Sequence, residues 1–147
     1  GLSVVAAGSV MMLYGVGGLL YSQMARRWLA WLGERGLVKT GAALVASGML
    51  LLAWGFAPWM GMLACCMAGL GFYMLHNTLQ VQATQMAPAA RGTAVTLFAS
   101  SLFLGQSTGV LLMAQSVDMG WLAYAFSAAA AGVIVLGVVV YRLVGRH

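Results

Sequence analysis

The stretch Trp59–Gln80, WMGMLACCMAGLGFYMLHNTLQ, contains no Asp, Glu, Lys or Arg and stays apolar until its last turn. A helix needs about 20 mostly apolar residues to cross about 30 Å of hydrocarbon, and this run is long enough. Working outward, four more runs of the same kind occur at about Leu2–Ser22, Thr40–Ala57, Thr93–Gln115 and Trp121–Leu143, with only Arg142 touching an end. The 147 residues include seven Lys and Arg and two Asp and Glu, 6% in all, against 63% hydrophobic residues. Soluble domains carry about 25% charged residues. So few charges cannot cover an aqueous surface, which excludes a soluble globular fold, intrinsic disorder and a nucleic-acid-binding domain. The sequence predicts an all-α, polytopic transmembrane bundle of five spans, forming one partial transmembrane domain over residues 1–147.

The distribution of charge supports that count. With five spans, the first connection, the third connection and the C-terminal tail share one side. Arg26, Arg27, Arg35 and Lys39 fall in the first, Arg91 in the third, and Arg142 and Arg146 in the tail. The opposite side holds the Ala57-Pro58 turn and a loop with Asp118, and no cation. The positive-inside rule then puts the N-terminal end of the chain outside and its C-terminus in the cytoplasm. Pro58 suits a helix start, Ala87-Pro88 precedes the fourth span, and Asp118 is expected to cap the fifth. The chain begins with Gly1 and its first stretch lacks a basic signal-peptide region, so a processed chain or a piece of a longer one is expected. Six Arg to one Lys, with many Ala and Gly, fit a bacterial inner membrane.

The spans differ in kind. The first connection carries Trp28, Leu29, Trp31 and Leu32 beside its cations, which predicts a short interfacial helix ended by Gly33. The second and fifth spans carry almost nothing polar and are expected at the periphery. Gly15 and Gly18 in the first, with Ser101, Gly105 and Gly109 at intervals of four in the fourth, form small-residue ridges on which another helix can approach.

Only the third span concentrates polar groups: His76, Asn77, Thr78 and Gln80. Such groups are costly at membrane depth unless they face protein or a water-filled path. His76 and Gln80, one turn apart, make this the candidate cavity helix; a polar collar at headgroup level or a helix–helix hydrogen bond accounts for them equally well. Gln106 is the other amide at depth, and a structural bond is its expected role. No nucleophile, phosphate loop or haem-ligating pair is present, and no enzyme or cofactor is expected. Cys65, Cys66, Met67, Met74 and His76 form a soft-ligand set on paper, but the 11 Met are spread along the whole chain as ordinary filler, so no metal site is assigned.

Several motifs carry a resemblance. The run Gly15-Val-Gly-Gly-Leu-Leu-Tyr-Ser22 is followed by a basic loop with Leu32-Gly33-Glu34-Arg35-Gly36. Then come Asn77-Thr78-Leu79-Gln80, Ala87-Pro88-Ala89-Ala90-Arg91-Gly92-Thr93-Ala94 and Phe103-Leu104-Gly105-Gln106-Ser107-Thr108-Gly109. In order and spacing this resembles the C-terminal half of major facilitator superfamily transporters, most of all the 12-helix drug:proton antiporter and sugar-efflux branch. The resemblance implies that the five spans correspond to that family's eighth to twelfth helices and that its first seven are absent. It implies alternating access with a small organic solute as substrate, efflux as the direction, and membrane lipid and a missing N-terminal half as partners. His76, Asn77, Gln80 and Gln106 would then border the substrate cavity, while Gly15, Gly18, Ser101, Gly105 and Gly109 would lie at the interface between halves.

The match has departures. Aligned on Gly33, Ala30 and Trp31 stand where the better-kept copy of the family's loop motif has an acid and a base. Arg26, Arg27, Glu34 and Arg35 are therefore expected only to supply charge contacts at a cytoplasmic gate. No carboxylate lies within a span, so any proton-coupling acid is expected in the missing half. Five helices supply one wall of a cavity between two repeats, so the chain alone is expected not to transport. A non-transporting protein that only packs against partner helices is the alternative.

Overall fold

The computed structural model describes residues 4–144; Leu2, Arg146 and His147 lie outside the described residues. The described chain is helical with no strand: α1 (Val4–Trp54), α2 (Pro58–Met86), a 3-10 turn (Pro88–Ala90), α3 (Arg91–Asp118) and α4 (Leu122–Leu143). All four α-helices are long and apolar enough to cross a membrane. As a straight rod, the 51 residues of α1 would reach about 76 Å, more than twice the hydrocarbon thickness. Gly33 breaks it, with φ 64° and ψ 175°, a region essentially reserved for glycine. The chain thus has two arms, residues 4–32 and 34–54, joined by one residue.

The contacts of each arm with α2 give their directions. Along the first arm, Gly17 lies against Cys66 and Leu70, Gly18 against the Tyr73 ring, and Tyr21 packs on Met74, so this arm runs parallel to α2. Along the second, Gly41 lies against Gly71 and Met74, Gly48 against Ala64, and Gly55 against Met60, so this arm runs antiparallel. The two arms form a hairpin clasping one helix. The approach is close because the contacts are glycine on glycine: a methyl on Gly71 would sit 2.5 Å from the Gly41 carbonyl oxygen. Tyr21, Leu37 and Met74 fill the turn end of the hairpin over Trp28 and Leu32. Residues 23–32 are therefore the end of the first arm rather than a separate interfacial helix, although Gly33 does end them.

Two other expectations change. The second arm, expected at the periphery, holds much of the buried core: Leu37, Val38, Ala42, Val45 and Ala46. Its small residues let α2 and α4 close on it from different sides, with Val38, Ala42 and Val45 packed among Leu75 and Val140. Asp118 does not cap the fifth span; it is the last residue of α3. The turn is a Schellman closure, with Gly120 at φ 71°, its N–H donating to Val117 O at 3.1 Å and the Trp121 N–H to Ser116 O at 2.8 Å. No side chain caps α4.

The helix ends sort by chemistry. At one end, Glu34 meets Gln82 and Arg35 meets Tyr141, which brings the Gly33 turn, the end of α2 and the end of α4 together. Every described cation is at or within about two turns of that end. At the other end, the Trp54 indole donates to Ser127 Oγ at 3.1 Å and its ring meets Tyr124 edge-on at 6.2 Å. Phe56, Trp59 and Trp121 are exposed there, as expected of aromatic residues at a membrane interface.

Candidate functional site

The polar segment of α2 faces three ways. Thr78 is buried and donates to its own helix at Met74 O, 2.8 Å away, which satisfies the hydroxyl without a partner helix. Asn77 turns towards the first arm, within hydrogen-bonding reach of the Tyr21 hydroxyl. His76 points elsewhere: its ring stacks on Phe72 at 5.4 Å and 16°, and meets Phe98 of α3 at 5.4 Å and 46°. Its Nδ1 is buried and has no hydrogen-bond partner among the described residues. Leaving such a group unsatisfied costs about 1–3 kcal/mol. Gln80, half-buried one turn on, shares that face by its i+4 spacing.

Above the Phe72–His76 stack a cleft of about 480 Å³ opens between the first arm, α2 and α3. Tyr14 and Phe72 form its aromatic side, and Ser101, Leu102, Gly105 and Gln106 its α3 side. Phe98, Leu102 and Gln106 recur every four residues, so one face of α3 carries both the His76 contact and the cleft wall. Gln106 is exposed in the cleft rather than tied into a structural bond. The site therefore brings His76 and Gln106 to one side of the bundle and leaves Asn77 on another. Sequence reading missed the aromatic residues Tyr14, Phe72 and Phe98; the i, i+4 spacing of Phe72 and His76 was the available signal.

The ridge residues divide in the same way. Gly18 is packed under the Tyr73 ring, whereas Gly15, Gly105 and Gly109 face open space and Ser101 borders the cleft. The charged residues of the turn do not form one cluster. Arg26 and Arg27 are exposed, Glu34 accepts from Gln82 Nε2 at 2.6 Å, and the Arg35 guanidinium lies over the Tyr141 ring at 5.2 Å. Glu34 pins the turn to α2 and Arg35 pins it to α4. Among the described residues, no three His, Cys, Asp or Glu side chains converge, and Cys65 and Cys66 are free thiols. An aromatic-walled cleft with one exposed amide, Gln106, above a buried imidazole can hold an organic solute; its described lining offers no nucleophile–base pair.

Fold and cleft together define a helical membrane-spanning protein. The chain matches no family model, no curated protein and no solved structure.

Proposed function

We propose that the chain is the C-terminal part of a secondary transporter of the major facilitator kind, crossing the membrane five times and exporting a small organic solute by alternating access. The two arms of α1 count as separate passes, of about 43 and 31 Å at 1.5 Å per residue. The end that carries the cations is cytoplasmic by the positive-inside rule. The observation that carries the reading is the cleft between the first arm, α2 and α3, where the Gln106 amide is exposed and unpaired, next to the buried and unpartnered imidazole of His76. Polar groups in that state at membrane depth are expected to border a water-filled path, and a second repeat would complete the wall. His76, Gln80 and Gln106 border the path in this reading, while Asn77 holds the first arm to α2.

A second reading draws on α3, which has no buried residue: a non-transporting subunit whose α3 packs on a partner's helices. Solute flux separates the two. Vesicles holding this chain together with the proposed N-terminal half are expected to accumulate solute, and vesicles holding this chain alone are expected not to. Flux from the chain alone would remove the two-half reading, and no flux from either preparation would favour the packing subunit.

A further inference from the structure

A groove of about 530 Å³ runs between the second arm of α1 and α4, on the side away from the cleft. Its floor is made of small side chains: Ala42, Ala43, Ala46 and Ser47 on the arm, and Gly137 on α4. The helices touch where Gly137 meets Ala42; a methyl on Gly137 would sit 2.5 Å from the Ala42 methyl. The far end is closed one turn beyond Leu50 by the Trp54–Tyr124 contact. From Lys39 to Leu50 the groove is about 16 Å long at 1.5 Å per residue. That is close to half of the roughly 30 Å hydrocarbon thickness, the depth reached by acyl chains of one leaflet.

The mouth of the groove is cationic. Lys39 and Tyr141 line it, and Arg35 lies one turn before Lys39 with its guanidinium over the Tyr141 ring. Arg142, next along α4, is exposed at the same level. Among the described residues none of these three cations forms an ion pair, although the Glu34 carboxylate is the sequence neighbour of Arg35. Only two acids exist; Asp118 is at the opposite end of the bundle and Glu34 is engaged by Gln82 of α2. A helix surface with unpaired cations at the headgroup level and a lipid-length apolar channel beneath them is complementary to one molecule that joins both features.

We propose that this groove is a binding site for an anionic phospholipid of the basic-end leaflet, its phosphate between Arg35 and Lys39 and one acyl chain laid along Ala43, Ser47 and Leu50 towards Ile134. The Tyr141 ring orients the Arg35 guanidinium towards the phosphate. The proposal requires only that the chain spans a membrane, and it does not depend on transport.

The test is lipid retention by the detergent-purified protein, read by native mass spectrometry after mixing with phosphatidylglycerol or phosphatidylcholine. Wild-type protein is expected to retain phosphatidylglycerol at about tenfold lower lipid concentration than phosphatidylcholine, since each surface cation favours anionic lipid severalfold. The double variant Arg35→Gln/Lys39→Gln should lose that preference, and Ala43→Phe, which fills the groove at an exposed position, should lose retention of both lipids. Arg26→Gln/Arg27→Gln removes the same charge outside the groove and should change retention less than twofold. Excess inorganic phosphate should not displace the lipid, because the acyl chain contributes to binding. Equal retention of the two lipids by wild-type protein, or equal losses from the two double variants, would overturn the proposal. Full retention by Ala43→Phe would do the same.

Discussion

The hairpin around α2 and the lone helix α3 are built from the same residue types, yet they behave oppositely. In the hairpin, Gly17, Gly41, Gly48, Gly69 and Gly71 each abut a neighbouring helix so closely that no side chain fits. In α3, Gly92, Gly105 and Gly109 have nothing within 4 Å, and none of the 28 residues is buried. Small-residue spacing alone therefore does not tell a filled interface from an empty one. What separates them is the facing surface: the hairpin glycines meet the backbone of the helix opposite, at Cys66 and Leu70, Gly71, Ala64, Tyr14 and Gly41 in turn, and those of α3 meet a cleft or nothing among the described residues.

That contrast is easiest to break at its tightest point. Gly71→Leu should unfold the bundle or lower its stability by about 3 kcal/mol or more, because a side chain there must displace the backbone of the second arm; thermal unfolding in detergent reads this. Gly33→Val should come next, at about 1–3 kcal/mol, since the hairpin depends on a backbone conformation that β-branched residues avoid. There is open space around Gly33, so the loss would measure conformation rather than crowding. Gln82→Leu should cost about 1 kcal/mol through the hydrogen bond to Glu34 at the half-buried turn, and Glu34→Gln should cost less, as an amide still accepts. The smallest effect is expected at Gly105→Leu, under about 0.5 kcal/mol for this chain. If the proposed second half covers α3, the same change should impair transport in the complete protein, so a silent stability result and a transport defect belong together.

Much of the architecture was legible because lipid is a severe filter. Runs without Asp, Glu, Lys or Arg marked the helices, and Pro58 and Pro88 marked two of the breaks at the positions where α2 and the 3-10 turn begin. The Gly33 hairpin was half legible: the glycine announced an end, but the charges and tryptophans before it read as a separate surface helix. They stay helical because Trp28 and Leu32 pack beneath Tyr21 and Leu37, a tertiary contact that no local pattern encodes. Polarity also misled about the second arm. A lack of polar groups shows that a helix tolerates lipid, not that it faces lipid: Ala42 is buried because Gly137 of α4 approaches it, and Val45 because Gly71 of α2 does. The polar residues of α2 were visible as a cluster, but their division among Tyr21, the Met74 carbonyl and the Phe72–Phe98 stack depends on helix rotation, which one sequence does not fix.

The most direct measurement is thiol labelling of α3 in intact membranes, in a Cys65→Ala/Cys66→Ala background, with a charged reagent that reacts only where water reaches. Leu102→Cys, Gly105→Cys and Gln106→Cys, on the cleft face, are expected to react at least tenfold faster than Leu97→Cys, Leu104→Cys and Leu111→Cys on the opposite face. Uniform labelling around the helix, or none on the cleft face, would contradict a solute path beside His76 and leave α3 as a packing or lipid-facing helix.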